Sequence, residues 1–124
     1  MGRVLAIAAG GAVGALLRYW VSSGTHALLG RGFPYGTLVV NVLGSFAIGF
    51  LFVLFLERMT LSGEWRAGIL VGVLGAFTTF STFSIETLNL LEEGAHLKAS
   101  LNVASSVALC LAGAWFGLLL GRTL

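Results

Sequence analysis

The chain has 124 residues, of which 57% are hydrophobic and only 10% are charged, and its net charge is +2. Soluble domains carry about a quarter charged residues, so this composition and a mean hydropathy of +0.98 predict an integral membrane protein. The small net charge, without a basic run, excludes a nucleic-acid-binding surface. A single cysteine, Cys110, excludes a disulfide framework and a cysteine-based metal site.

A helix that crosses a membrane needs roughly 20 predominantly apolar residues, and four segments of the chain meet this requirement. We predict an all-α membrane protein with one transmembrane domain over residues 1–124 and helices at about residues 4–23, 35–56, 67–93 and 98–121. Arg18 interrupts the first apolar run and no clear cleavage site follows it, which favours a retained first helix over a signal peptide.

The basic residues give only a weak prediction of orientation. Four spans place both termini on one side of the membrane, with four arginines there and Arg31 and Lys98 on the other side. The positive-inside rule acts on such differences, so either the termini are cytoplasmic or the protein inserts in both orientations. A four-helix unit of this size hardly encloses a pore, so a transport function implies an oligomer, most simply a two-fold dimer.

Polar and small side chains follow regular spacings along the predicted helices. Thr37, Asn41 and Ser45 recur every fourth residue and share one face of the second helix. Hydrogen bonds between packed helices explain Thr37 and Ser45 as well as a functional role does. The Asn41 amide carries two donor hydrogens and an acceptor, so we favour a pore or interface role for it. Pairs such as Gly10 and Gly14 predict close helix packing.

The third predicted helix contains the least usual stretch of the chain, Gly75 to Ser84, where five hydroxyl side chains are interleaved with phenylalanines. Hydroxyl groups compete with helical hydrogen bonds, and irregular backbone at membrane depth occurs only where protein or a water-filled cavity covers it. We therefore predict that the third helix is broken around a site. The ring edges of Phe80 and Phe83 carry partial positive charge and suit a small, hard anion, whereas exposed carbonyl groups suit a sodium ion.

Four other polar residues are candidates for function. Asn102 lies near the predicted membrane edge, where it caps the helix or faces headgroups, and Ser106 lies deeper on the same stripe. Arg18 either extends to the membrane interface or gives an aqueous vestibule positive charge. Glu86 is a proton site, a gate or a partner for a neighbouring polar group. No catalytic constellation is present, so we predict that the protein is not an enzyme.

Taken together, these segments resemble the Fluc/CrcB fluoride channel family over the full length of the chain. The resemblance is carried by Gly10 to Tyr19, by Gly36 to Ser45 and above all by Gly75 to Glu86, with its Thr-Thr-Phe-Ser-Thr-Phe-Ser-x-Glu run. It implies a passive, fluoride-selective channel of the prokaryotic plasma (inner) membrane, which exports cytoplasmic fluoride and gives fluoride resistance. It also implies an antiparallel, dual-topology homodimer with two pores and a structural sodium ion (Na+) at its centre.

The resemblance further implies roles for individual residues. Phenylalanines of both subunits line the fluoride pathway, an asparagine donates to the ion, an arginine makes the vestibule electropositive, and hydroxyl groups form a polar track. The fluoride-pathway residues are Asn41, Phe80, Phe83, Ser81, Thr82, Ser106 and Arg18. The backbone carbonyl groups of Gly75 and Thr78 ligate sodium, two from each subunit.

Two other classes of protein remain open at this point. One is a proton-coupled exporter of toxic cations that resembles the small multidrug resistance family, which relies on a buried carboxylate in the first helix. Here the first helix has Arg18 and no acidic residue. The other is a membrane scaffold that conducts nothing, which leaves Asn41 and the hydroxyl-rich stretch without an explanation.

Overall fold

The computed structural model describes residues 1–124 and contains four helices long and apolar enough to cross a membrane. They are Gly2–Leu29, Tyr35–Arg58, Gly63–Glu92 and His96–Thr123, and we call them the first helix, the second helix, the third segment and the fourth helix. The predicted all-α architecture with four spans is confirmed. The first and fourth helices each have 28 residues, so each is about 42 Å long and exceeds the hydrocarbon core of about 30 Å.

Helix ends differ from the predicted ones mainly at the first loop. The first helix continues through Gly24 and ends at Leu29, because Gly30 adopts a φ of 83° that favours glycine. Pro34 then precedes the second helix, which is α-helical over Tyr35–Val53 and π-helical over Leu54–Arg58. The loop between these helices is therefore confined to residues 30–34.

The third segment consists of several pieces. An α-helical turn, Gly63–Arg66, leads into the π-helical stretch Ala67–Leu74 and a last turn, Gly75–Phe77. Thr78 and Thr79 have extended backbone, with φ and ψ of −82° and 157° and of −151° and 119°. The α-helix Phe80–Glu92 follows. We call residues 63–77 the N-terminal half of the third segment and residues 80–92 the C-terminal half.

Glycines bring the backbone of the first helix against the N-terminal half of the third segment. Gly10 and Gly14 are buried, and a methyl group added at Gly14 would collide with the carbonyl oxygen of Val73. One added at Gly10 would collide with the carbonyl oxygen of Gly68. Such contacts are typical of helices that pack in lipid through small residues. The second and fourth helices approach each other in the same way at Gly117, which lies against the carbonyl oxygen of Phe46.

Two hydrogen bonds join loops and helix ends at opposite ends of the bundle. Arg58 Nη2 donates to the carbonyl oxygen of Arg122 at 2.6 Å, at the end where both termini lie. At the opposite end, Lys98 Nζ donates to the carbonyl oxygen of Gly32 at 3.0 Å. The basic residues thus lie at the two ends that the sequence predicts for them.

Candidate ion-conduction site

A side chain of the second helix is bonded to the backbone of the third segment at its interruption. Asn41 Nδ2 donates to the carbonyl oxygen of Thr79 at 3.0 Å, and Asn41 Oδ1 accepts from the Thr79 N–H at 2.8 Å. The amide thereby satisfies both polar backbone groups of a residue that no helix includes. Since the amide has two donor hydrogens, one of them remains for another acceptor.

The same interruption changes the hydrogen bonding of two carbonyl groups. In a regular helix the Gly75 carbonyl group accepts from the N–H of residue 79, and that of Thr78 accepts from residue 82. Here the Thr79 N–H donates to Asn41, and the Thr82 N–H donates to Thr79 Oγ1 at 3.2 Å, as in a helix N-cap. Both carbonyl groups therefore lack their ordinary helical donors, and they are the two that the family resemblance assigns to sodium.

A groove of about 500 Å³ runs beside the interruption, between the second helix, the third segment and the fourth helix. The rings of Phe80 and Phe83 lie in it with their centroids 5.4 Å apart and their planes at 46°. Phe80 is 78% exposed, so the groove is open on one side in a single chain. Polar atoms reach the groove from three elements, through Asn41, Ser45, Thr78, Thr79 and Ser106.

A second, smaller cavity of about 250 Å³ lies on the other side of Thr79. Arg18 lines it together with hydroxyl groups of three elements, among them Ser22, Thr37 and Thr82, and no acidic residue does. Thr79 lines both this cavity and the groove. The contact between Asn41 and Thr79 therefore lies where the two spaces adjoin.

Six of the seven predicted fluoride-pathway residues line one of the two spaces. Asn41, Phe80, Phe83 and Ser106 line the groove, and so do the predicted sodium ligands Gly75 and Thr78. Arg18 and Thr82 line the second cavity. Ser81 lines neither of them; it is exposed, and its Oγ lies 3.5 Å from Thr79 Oγ1. Both predicted alternatives for Asn102 are wrong: the residue is only 2% exposed and so does not face headgroups, and the helix begins at His96, so Asn102 does not cap it.

Asn102 belongs to a hydrogen-bonded chain that the sequence analysis missed. Its Nδ2 donates to Thr87 Oγ1 at 2.9 Å, and the Thr87 hydroxyl donates to the carbonyl oxygen of Phe83 at 2.8 Å. This chain ties the fourth helix to the C-terminal half of the third segment, close to one of the two phenylalanines. An asparagine within a membrane span is the only signal of it in the sequence. One carboxylate oxygen of Glu86, Oε1, is buried without a hydrogen-bond partner.

Comparison with known proteins identifies the family. Residues 5–118 match the family model described as "CrcB-like protein, Camphor Resistance (CrcB)". The chain belongs to the CrcB family. A Methylococcus capsulatus protein named fluoride-specific ion channel FluC is 60% identical over 121 residues, which are 98% of this chain and 53% of that protein. The chain thus spans about half the length of that relative.

Two other relatives with the same name match this chain along nearly their whole length. The Geobacter sulfurreducens protein is 53% identical over 124 residues, which are 100% of both chains. The Magnetococcus marinus protein is 54% identical over 116 residues, which are 94% of both chains. None of these names supports the alternative of a proton-coupled exporter of toxic cations.

Proposed function

We propose that this protein is a fluoride-selective passive ion channel, and not an enzyme, which exports cytoplasmic fluoride and so gives fluoride resistance. The observation that carries the proposal is the groove in which Phe80, Phe83, Asn41 and Ser106 meet beside the interrupted third segment. The relatives named fluoride-specific ion channel supply the identity of the ion.

The groove offers a dehydrated anion several weak donors instead of one strong charge. Aromatic ring edges carry partial positive charge, the Ser106 hydroxyl donates, and Asn41 keeps one N–H that its bonds to Thr79 do not use. Conduction requires binding that is favourable enough for entry and weak enough for release. A set of neutral donors meets this requirement better than a buried cationic side chain.

Arg18 and Thr82 act at the approach to the groove. The second cavity joins the Arg18 guanidinium with hydroxyl groups and contains no acidic residue, so its potential is positive. Positive potential in a cleft raises the local concentration of anions. We propose that fluoride enters this vestibule and passes Thr79 on its way to the phenylalanines, with Ser81 and Thr82 as part of the polar track.

Fluoride export needs no energy source other than the membrane potential. Hydrogen fluoride crosses lipid as a neutral molecule and ionises in a less acidic cytoplasm, which traps the anion. A potential that is negative inside drives one elementary charge outward with about 2.3 kcal/mol per 100 mV. A selective pore in the prokaryotic inner membrane therefore lowers cytoplasmic fluoride passively.

The carbonyl groups of Gly75 and Thr78 fit the structural sodium ion that the family resemblance implies. Hard cations prefer oxygen ligands, and unwound backbone carbonyl groups coordinate sodium in other membrane proteins. Neither group has its ordinary helical donor, because the Thr79 and Thr82 N–H groups bond elsewhere. When bound, the cation would neutralise these carbonyl dipoles and hold the interrupted backbone together.

We further propose that the functional unit is an antiparallel, dual-topology homodimer with two pores. In one chain Phe80 is 78% exposed and the groove is open, so a second copy is needed to enclose the anion. The weak difference in basic residues between the two ends allows both orientations in the membrane. Two chains related by a two-fold axis would also double the two carbonyl ligands to four.

The test is efflux from proteoliposomes that contain the purified protein and either fluoride or chloride. We expect fluoride to leave rapidly once a potassium ionophore compensates its charge, and chloride to stay inside. Protein-free liposomes and the variant Phe80→Ser supply the controls, and both are expected to retain fluoride. Equal rates for the two halides would refute the proposed selectivity, and unchanged flux in Phe80→Ser would refute the assignment of the groove.

A further inference from the structure

We propose that Asn41 is a positioning residue for the cation site. Through Thr79 it holds the interruption of the third segment open and leaves the Gly75 carbonyl group free to bind a cation. The identity of that cation as sodium rests on the proposed function. The bonds from Asn41 to Thr79 do not rest on it.

The Thr79 N–H group has two possible acceptors. Asn41 Oδ1 accepts the Thr79 N–H at 2.8 Å, and in a regular helix this N–H would donate to the carbonyl group of Gly75. Each N–H makes one such bond, so the bond to Asn41 and the helical bond exclude each other. By accepting this N–H, Asn41 keeps the carbonyl group of Gly75 available.

An asparagine at position 41 matches both polar backbone groups of Thr79. Thr79 presents an N–H and a carbonyl group, and each costs free energy if it is buried in a membrane without a partner. The Asn41 amide accepts from the first group and donates to the second at 3.0 Å. A carboxylate has no donor, and an aliphatic side chain has neither group. The Asn41 amide satisfies both groups at once, with a separate atom for each.

The second helix also holds Thr78, the residue before Thr79. A methyl group added at Gly44 would collide with Thr78 Cγ2, so the absence of a side chain at Gly44 lets Thr78 pack there. Gly44 lies three residues after Asn41 and thus on the same face of the helix. One face of the second helix therefore fixes Thr78, whose carbonyl group lacks its helical donor, and Thr79, whose N–H would otherwise occupy the Gly75 carbonyl group.

The experiment measures two properties of the purified full chain and of the variant Asn41→Ala in lipid nanodiscs. The first is hydrogen exchange at the Thr79 amide, followed by nuclear magnetic resonance with ¹⁵N-threonine and assigned with Thr79→Ser. The second is the sodium concentration that gives half of the rise in thermal stability, with N-methylglucamine replacing sodium at constant ionic strength. The matched control is Asn102→Ala, which removes another intramembrane amide whose bond goes to Thr87.

In Asn41→Ala the Thr79 N–H has two acceptors left. Water would speed its exchange about tenfold, the factor that the loss of one ordinary hydrogen bond gives, and the Gly75 carbonyl group would keep it protected. In either case we expect the sodium midpoint to rise about tenfold, or the stabilisation to disappear. Asn102→Ala should change neither value by more than about twofold, because its bond does not involve Thr79. A residue that only contacted fluoride would leave both values as they are in the wild type.

An unchanged sodium midpoint in Asn41→Ala would overturn the inference, whatever the exchange rate at Thr79. If the wild type itself does not respond to sodium, the cation part of the inference fails, while selective fluoride efflux would still uphold the channel. If Asn41→Ala does not fold, hydrogen exchange at Thr79 in the wild type tests the inference. Thr79 exchange as slow as that of the helical Thr87, together with stabilisation by sodium, supports the inference, because an N–H bonded to Gly75 would occupy the carbonyl group that binds the cation. Exchange as fast as that of the exposed Thr60 overturns it.

Discussion

The two halves of the third segment are held in the bundle by different means. The N-terminal half, residues 63–77, packs backbone against backbone on the first helix at Gly10 and Gly14. The C-terminal half, residues 80–92, is joined to the fourth helix by a side-chain hydrogen bond from Asn102 to Thr87, and Asn41 holds Thr79 directly before it. An apolar cavity of about 330 Å³ lies beside the first half, next to Gly10 and Gly68. The polar groove and the second cavity lie at the interruption, beside Thr79.

This difference explains how one apolar segment combines an anchor with a conducting surface. Side chains that face an ion cannot also be packed against another helix. Phe80 is accordingly 78% exposed in the single chain, while Phe77, three residues earlier, is 9% exposed. The extended backbone at Thr78 and Thr79 separates the two environments. Three experiments probe this contrast, from the largest expected effect to the smallest.

The largest effect is expected from a single methyl group added to the anchored half. Gly14→Ala forces the first helix away from the carbonyl oxygen of Val73, and overpacking of this kind costs roughly 1–3 kcal/mol. The measurement is thermal unfolding in detergent, with the yield of folded protein from size-exclusion chromatography. Gly11→Ala is the matched control, since a methyl group there has nothing within 4 Å. Equal stability of the two variants would contradict backbone packing at Gly14.

A smaller effect is expected on conduction when the aromatic edge is removed from the hydrogen-bonded half. Phe83→Leu keeps an apolar side chain and removes the partial positive charge of the ring edge. Loss of one such interaction, worth about 1.4 kcal/mol, would slow fluoride efflux about tenfold. The control is Phe52→Leu on the second helix, a half-exposed phenylalanine outside the groove. Similar efflux from both variants would separate Phe83 from the fluoride pathway.

The smallest effect is expected when the attachment to the fourth helix is removed. Asn102→Ala deletes the donor to Thr87 Oγ1, and hydrogen bonds between membrane helices contribute roughly 0.6 kcal/mol on average and at most about 1.7 kcal/mol. Thermal unfolding should show a loss within this range. Asn89→Ala, at an exposed position on the helix that contains Thr87, should leave stability unchanged. A loss as large as that of Gly14→Ala would mean that both halves depend on packing alike.

Much of the candidate site was predictable because it is made of residue types that are costly in a membrane. Asn41, Arg18 and the hydroxyl-rich run stand out against an apolar background. The groove or the second cavity is lined by Asn41, Arg18 and three threonines of that run, Thr78, Thr79 and Thr82. Asn102 was assigned wrongly because its position along a helix does not determine which helix covers it. Its burial depends on Thr87, fifteen residues away in the chain.

The sequence by itself determined the membrane class, the four spans, the family and the polar stretch around which the third segment is organised. These properties follow from composition, from hydrophobic length and from local hydroxyl chemistry. The tertiary structure alone shows that the extended backbone at Thr78 and Thr79 removes helical hydrogen bonds. It also shows that Asn41 bonds to the N–H and the carbonyl group of Thr79 instead. The physical reason is that a hydrogen bond between residues 38 positions apart depends on how two helices pack, which no local pattern specifies.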